Sequence, residues 1–294
     1  MRRLIVNADD FGFTVGVNRA IVEAHTRGIV TSSTLMANGC AFEDAVELAK
    51  TIPSLGIGCH VVLIDGEPIL DGEKLPTLTT TRNHAHEFRN GLKSFAARAL
   101  VGNFNAAAIE AEAAAQIGKI QSAGIVVSHV DTHKHTHLFP AVLRPLLRAA
   151  RACGVQAIRN PFGPRRPLRS ADLLGRPSLW TRYAEVKVLR ALAGKFRHAV
   201  SEEGFITPDG TLGVVVTGAL DEQLFRSIAA IVPDGTWEFV CHPGYNDADL
   251  KSANTRLRES RETELRLLTM PEVRELLSNS DIELISYREL SPLK

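Results

Sequence analysis

The chain has 294 residues, 45% of them hydrophobic and 23% charged, and its 34 lysines and arginines nearly balance its 33 acids, giving a formal net charge of +1. Such a balance argues against nucleic acid or a membrane as the main partner. No apolar run reaches the roughly 18 residues of a membrane span, and the first one stops after three residues at a carboxylate pair, unlike a signal peptide. We therefore expect a cytoplasmic protein without membrane insertion.

The cysteines are far apart and form no CxxC motif. They are Cys40, Cys59, Cys153 and Cys241. This spacing indicates neither a zinc knuckle nor a disulfide framework. We expect buried, reduced thiols.

Short β-rich segments alternate with amphipathic helical segments, as expected for parallel strands joined by crossover helices. The predicted elements of the first half are a strand at 2–9, a helix at 17–28 closed by Gly28, a strand at 29–37, a helix at 42–52, a strand at 56–63, two helices without strand character between about 84 and 122, a strand at 124–133, a helix at 141–154 and a strand at 155–161.

The pattern is harder to read after residue 161. The predicted elements here are one helical stretch at about 178–197, a helix at 221–232, a strand at 236–244, one or two helices at 258–277 and a last strand at 282–290. Seven or eight βα units without a linker or repeat predict an α/β fold, a single TIM-like (β/α) barrel over 1–294 that is closed or nearly closed. In such barrels the chemistry lies at the carboxyl ends of the strands.

Acids and imidazoles collect at these predicted strand ends. Asp9 and Asp10 lie where the first strand stops, and six of the ten histidines end or follow a strand: His60, His129, His133, His135, His137 and His242. Three distant strands, the first, third and fourth, therefore deliver acid and imidazole to one rim, and a late strand adds His242.

Asp9 and Asp10 are adjacent, so in extended backbone their side chains point to opposite sides. We expect different roles for them, with helix capping as the alternative for one. A lone histidine such as His60 is more often a core residue than a ligand, but the carboxylates at the same rim favour ligation. His242, at a turn in "CHPG", is well placed to give or take a proton. Arg159 would pair with Asp9 or contact the substrate.

The segment "SHVDTHKHTHLFP" holds alternating candidates whose side chains would share one face of an extended chain. They are too many for one ion, and the chain is expected to turn before Pro140. This favours His133 as the ligand, with Asp131 or His129 orienting it or another ligand from behind, and leaves His135 in a supporting or substrate-contacting role. The alternative is a solvated histidine cluster in a loop.

Several motifs in this order resemble the YdjC-like carbohydrate deacetylases, a family that includes a chito-oligosaccharide deacetylase and members associated with hopanoid biosynthesis. The motifs are "LIVNADDFG", "GIVTSSTLMANG", "GIGCHVVL", "SHVDTHKHTHLFP", "AIRNP", "CHPGY" and "RETELRLL" followed by "ISYREL". No family motif is found at about 162–235, which we interpret as a divergent insert at the substrate rim.

The resemblance implies a barrel, often a homodimer, that removes acetyl groups from N-acetylglucosamine or chito-oligosaccharide sugars with one divalent ion, Mg²⁺ or Zn²⁺. It implies Asp10, His60 and His133 as metal ligands, Asp9 as catalytic base and His242 as general acid. An acetylated sugar on a lipid-like carrier is an alternative substrate.

Two other functional interpretations of the sequence remain open. The pattern DxHxH in "DTHKH" also occurs in metal-dependent phosphoesterases and amidohydrolases, although there it normally lies on the first strand, whereas here it follows the fourth. A non-catalytic sugar-binding barrel is the second alternative, and the presence of both Asp9 and His242 argues against it.

Overall fold

The computed structural model describes residues 1–82 and 85–290. The strands are β1 (Arg2–Phe11), β2 (Ser32–Leu35), β3 (Gly56–Val61), β4 (Thr79–Arg82), β5 (Ala85–Phe88), β6 (Val130–Thr132), β7 (Gly210–Leu212), β8 (Gly235–Cys241) and β9 (Ile282–Leu284). The α-helices are α1 (Val15–Thr26), α2 (Phe42–Thr51), α3 (Leu92–Leu100), α4 (Ala106–Ser122), α5 (Pro140–Ala152), α6 (Ser170–Leu174), α7 (Trp180–Leu189), α8 (Ala193–Glu202), α9 (Glu222–Ala229), α10 (Ala248–Ser252), α11 (Glu259–Thr269) and α12 (Pro271–Asn279).

Seven strands form one parallel sheet in the order β6-β3-β2-β1-β8-β7, with β9 paired to the start of β1. The sheet curls into a half-barrel with helices packed around it, so the predicted α/β class is confirmed. Isolated parallel bridges, Val130 with Ile158 and Ala157 with Ile206, extend the pairing beyond β6.

The central strand β1 is buried from Leu4 to Phe11. A parallel strand covered on both faces is expected to be a continuous apolar run, and "LIV" at its start fits this. Two carboxylates at its buried end therefore require cationic partners.

The predicted helix end at Gly28 is wrong, because α1 stops at Thr26 with Arg27 as its C-cap. Gly28 is not in the left-handed region. A Cβ there would collide with the carbonyl of Leu268 at the end of α11. Gly28 thus permits the chain to pass close to α11 and does not cap α1.

The observed strands differ from the predicted strands in two parts of the chain. The region from about 84 to 122 contains the two predicted helices, α3 and α4; position 84 itself lies outside the described residues. The region also contains β5, which was not predicted and pairs with β4 in an antiparallel hairpin. The strand predicted at 155–161 makes only isolated bridges, and β7 was not predicted. The helical stretch predicted at about 178–197 is confirmed by α7 and α8.

The cysteines are free thiols, as expected, but not all are buried. Cys59 and Cys241 are buried, Cys153 is half-buried and Cys40 is exposed. Cys40 lies in the surface turn before α2, so burial was the wrong expectation for it.

In the described part of the chain, none of the helices combines the length and apolarity needed to cross a membrane.

Candidate active site

The carboxyl ends of four strands converge on one cluster of acids and imidazoles. Strand β3 pairs with β6 so that His60 lies beside Asp131, and β1 pairs with β8 so that Ala8 lies beside Cys241. The residue after Cys241 is His242, which is thereby brought to the end of β1.

Asp9 and Asp10 both face this cluster although they are adjacent. The β1–β2 register shifts between Ala8 and Phe11, and Asp10 has a φ of 70°. This left-handed residue produces an irregularity like a β-bulge, which re-aims a side chain. Opposite orientations, expected for a regular strand, therefore do not occur.

Asp10, His60 and His133 form a compact triangle of donor atoms. His60 Nε2 lies 3.3 Å from His133 Nδ1 and 3.5 Å from Asp10 Oδ1, and His133 Nδ1 lies 3.5 Å from the same oxygen. Two ligands of a tetrahedral ion, bonded at about 2.0–2.2 Å, lie roughly 3.3–3.6 Å apart. The donor set and its spacing therefore fit one divalent ion.

Asp131 orients His60 from behind. Its Oδ1 accepts a hydrogen bond from His60 Nδ1 at 2.7 Å, which directs the Nε2 lone pair into the triangle. Burial alone would lower the pKa of His60, but Asp131, Asp9 and Asp10 outweigh it and raise that pKa to about 9. Without a bound cation, this imidazole therefore carries the proton that the carboxylates require.

The fully buried Arg159 joins three carboxylates. Its Nη1 and Nη2 donate to Asp9 at 2.8 and 2.6 Å, Nη1 also contacts Asp131, and Nε donates to Glu238 at 2.9 Å. Of the two roles considered for Arg159, the structure places it in the ion pair with Asp9. Burial would raise the pKa of Asp9, but Arg159 and His60 hold it well below its usual value.

Glu238 anchors the far side of Arg159. The Tyr287 hydroxyl donates to Glu238 at 2.7 Å and the Thr211 hydroxyl at 3.1 Å. Sequence reasoning missed this residue, although an acid inside "TWEFVC", an otherwise apolar strand, is a signal that a buried cation lies nearby.

Arg261 is the second buried cation of the cluster, and its Nη2 contacts Asp10 Oδ2. Burial would raise the pKa of Asp10, but Arg261 and His133 lower it well below its usual value. Arg261 was also missed, because "RESRETE" has the charge pattern of a solvated helix. Nothing local distinguishes it from its exposed neighbours.

His242 lies beside Asp9, with Nε2 3.9 Å from Asp9 Oδ2. Asp9 and His242 come close together because β1 and β8 are neighbours in the sheet. Burial lowers the pKa of His242 to about 4 against the opposing effect of Asp9 and Asp10, so its imidazole is neutral at pH 7. Its backbone N–H donates to Glu264 at 2.6 Å.

The remaining histidines of the motif diverge from the triangle, as expected from a turn before Pro140. His129 stacks on Tyr287, with ring centroids 3.5 Å apart. His137 contacts the Thr132 hydroxyl at 2.7 Å and the Arg159 carbonyl at 3.2 Å. His135 has a φ of 54° and lies in the wall of a neighbouring cleft. Burial lowers its pKa to about 3.

This cleft has a volume of about 570 Å³. It lies between α3, α7 and residues 161–167, and its wall is mainly apolar, with Leu138, Phe139 and Phe162 among the lining residues. His135, two residues after His133, connects this cleft to the segment that holds His133.

A parallel half-barrel with an Asp–His–His triangle at its carboxyl edge defines an α/β protein with a candidate metal centre. The model of the family "YdjC-like protein" matches residues 3–279. The chain therefore belongs to the YdjC-like family, as the motifs indicated.

Relatives and solved structures agree with this assignment over the whole length. The chain is 35% identical over 294 residues to a carbohydrate deacetylase of Geobacillus stearothermophilus, covering 99% of each chain. It is 32% identical over 289 residues to a carbohydrate deacetylase of Brevibacillus brevis, covering 98% of this chain and 99% of the relative. A crystal structure from Enterococcus faecalis, provisionally named for cellobiose-phosphate cleavage, has a TM-score of 0.76 at 28% identity and 99% coverage of both chains.

Proposed function

We propose that this protein is a metal-dependent carbohydrate deacetylase that hydrolyses the acetamide of an N-acetylated sugar, of the N-acetylglucosamine or chito-oligosaccharide type. The observation that carries the proposal is the Asp10–His60–His133 triangle with Asp9 and His242 beside it. The names of the relatives support the substrate class.

Asp10, His60 and His133 would hold one divalent ion. Such an ion polarises the acetamide carbonyl and makes water easier to deprotonate. Two imidazoles and one carboxylate suit Zn²⁺, whereas a site that keeps several waters also accepts Mg²⁺. Arg261 neutralises the other oxygen of Asp10, which leaves Oδ1 directed at the two imidazoles.

Asp9 would act as the base and His242 as the acid. Asp9, held in place by Arg159, accepts a proton from the attacking water. Because the low pKa of His242 makes its imidazole neutral, His242 must first gain a proton before it can protonate the departing sugar nitrogen. Its position 3.9 Å from Asp9 allows the proton removed from water to reach it with a small movement.

The phosphoesterase alternative calls for a second metal ion, and Arg159 argues against that. The described residues also bring Asp9, His60 and Asp131 together, which would be the place for another ion. Arg159 contacts both of these carboxylates and supplies the positive charge there. The non-catalytic alternative is disfavoured because Asp9 and His242 face the same space as the triangle.

The apolar cleft favours a second candidate substrate, an acetylated sugar on a lipid-like carrier. A sugar ring offers hydroxyls to its site, whereas Leu138, Phe139 and Phe162 offer none. An apolar group attached to the sugar would fill this volume. His135 lies between the two regions.

We also propose the finer organisation implied by the family. The chain would be one domain over 1–294, a distorted (β/α) barrel in which the segments at 155–161 and 206 continue the sheet, with 162–235 as a divergent insert. A cytoplasmic homodimer is the proposed form.

The test is release of free amine and acetate from N-acetylglucosamine oligomers by metal-loaded protein. We expect activity that a chelator abolishes and that Zn²⁺ or Mg²⁺ restores. Hydrolysis of phosphate esters without any acetamide cleavage would support the phosphoesterase alternative. No acetate from any acetylated sugar, with sugar binding retained, would support the binding alternative.

A further inference from the structure

The helix α7 has an outer face with no protein partner. None of its ten residues is buried, although it contains tryptophan, tyrosine, valine and leucine. Tyr183, Val186 and Leu189 pack half-buried against the protein core. A helix that is apolar on more than its core-facing side is normally covered by a second partner.

The uncovered side carries an apolar stripe. Trp180, Ala184 and Val188 follow at intervals of four residues and therefore share one face of α7. Trp180 is 52% exposed and Val188 is 74% exposed. Leu174, at the end of the preceding helix α6, is 75% exposed.

The segment that carries this stripe is rich in positive charge. Residues 165–197 contain nine lysines and arginines but only two acids, whereas the whole chain is nearly neutral. The near-neutral total thus conceals a strongly basic segment.

The cations lie close to one another. Lys187 donates to the backbone carbonyl of Arg165 at 2.6 Å. Burial, with repulsion from Arg197 and Arg165, lowers the pKa of Arg190, so these three guanidinium groups share one region. Within residues 1–82 and 85–290, neither Arg165 nor Arg197 forms an ion pair. A surface region of like positive charges attracts anionic surfaces.

We propose that this docking surface, the stripe Trp180, Ala184 and Val188 with Leu174 and the cations Arg165, Lys187, Arg190 and Arg197, binds the surface of an anionic phospholipid bilayer. Amphipathic helices with lysine and arginine beside tryptophan and leucine lie in the interface of such membranes without crossing them. A second copy of this chain is a poorer partner, because a symmetric dimer would bring two basic surfaces together.

Docking on this surface would affect the neighbouring apolar cleft. Ala184 and Val188 also line the apolar cleft, so a bilayer on this face would cover the cleft mouth. The docking does not depend on the proposed deacetylase activity, and its test uses no substrate.

The experiment is sedimentation of the full chain with vesicles of phosphatidylcholine alone or mixed with phosphatidylglycerol. We expect binding only to the mixed vesicles, weakened by salt. Trp180 provides a second readout: its emission should shift to shorter wavelength on binding, whereas Trp237, which is 9% exposed, should not respond.

Three variants test the surface. Arg165→Gln with Arg197→Gln should weaken binding about fivefold for each lost cation. Arg27→Gln with Lys50→Gln is the matched control, because it removes the same charge from the end of α1 and from α2, where both cations have local acidic partners. It should bind like the wild type. Leu174→Ser with Val188→Ser should abolish the Trp180 shift.

Equal losses in the two charge variants would overturn the proposal, because they would show attraction to net charge alone. Absence of vesicle binding would also overturn it. If Leu174→Ser with Val188→Ser instead abolished a dimer of a protein that ignores vesicles, the surface would be a self-association site. Retention on DNA without vesicle binding would identify nucleic acid as its partner.

Discussion

Replacing Asp9 by asparagine tests the proposed base separately from the proposed metal site. Asp9 lies outside the Asp10–His60–His133 triangle, so Asp9→Asn should retain its metal. One general base contributes about 10²–10⁴ in rate, which corresponds to about 3–5 kcal/mol of activation free energy. We expect turnover to fall by this factor.

The same change has a calculable cost in stability. Asp9 accepts two hydrogen bonds from Arg159, at 2.6 and 2.8 Å. Asparagine keeps one acceptor oxygen but presents its amide N–H groups to the other guanidinium nitrogen. Loss of one hydrogen bond to a charged group costs about 1.5–3 kcal/mol, which should lower the Tm by about 2–5 °C in a chain of this size.

The assay combines acetate release at saturating metal, metal content by elemental analysis and thermal unfolding. Glu238→Gln is the matched control, because it removes a carboxylate from the same guanidinium but leaves Asp9 in place. It should lose comparable stability and much less turnover. Near-normal turnover in Asp9→Asn would refute the base assignment, and equal turnover losses in the two variants would assign Asp9 a purely structural role.

Three further predictions concern the metal, the pH dependence and the packing. His133→Ala should lose metal and activity together, whereas retention of stoichiometric metal would remove His133 from the ligand set. Burial raises the pKa of Glu264 to about 7, against the opposing hydrogen bond from the His242 N–H, so its protonated form stabilises the fold. This contribution to the free energy of unfolding, about 3 kcal/mol, is present below pH 4.5 and is lost as the pH rises through 7. Over that interval the Tm of the wild type should fall relative to the Tm of Glu264→Gln. Parallel Tm curves for the two proteins would contradict this prediction. Gly58→Ala would drive a Cβ into the His129 ring and should cost about 1–3 kcal/mol in chemical denaturation, whereas an unchanged midpoint would show that the ring can shift.

The sequence indicated which residues gather at the candidate site more completely than it indicated the strands of the sheet. Asp9, Asp10, His60 and His133 could be singled out because they lie at or just after the predicted ends of strands, and parallel strands bring their carboxyl ends to one edge. The choice of Asp10, rather than Asp9, as a metal ligand came from the resemblance to the YdjC-like family. The bridging segment at 155–161 and the short strand β7 could not be placed, because three or fewer paired residues leave no periodicity to detect.

Local sequence patterns could not show that both of the arginines beside the triangle are buried. Arg159 was recognisable because it ends an apolar segment, but Arg261 lies in a helix whose sequence looks fully solvated. Its burial depends on α11 packing beside α1, a tertiary contact more than 230 residues distant in sequence. The orientation of Asp10 has the same origin, since a left-handed residue other than glycine persists only where its surroundings hold it.

The charges around the triangle give the adjacent carboxylates Asp9 and Asp10 different surroundings. Their positions in the sequence alone do not show this difference. Each has a buried arginine, Arg159 for Asp9 and Arg261 for Asp10, so neither needs the ion to remain charged. Asp10 keeps one oxygen directed at His60 and His133, whereas both oxygens of Asp9 are bonded to Arg159. The proposed base, Asp9, is therefore fixed in place but weakened, because Arg159 lowers its pKa. In the proposed mechanism a weak base beside a neutral imidazole passes its proton onward, and His242, 3.9 Å from Asp9, is close enough to receive it.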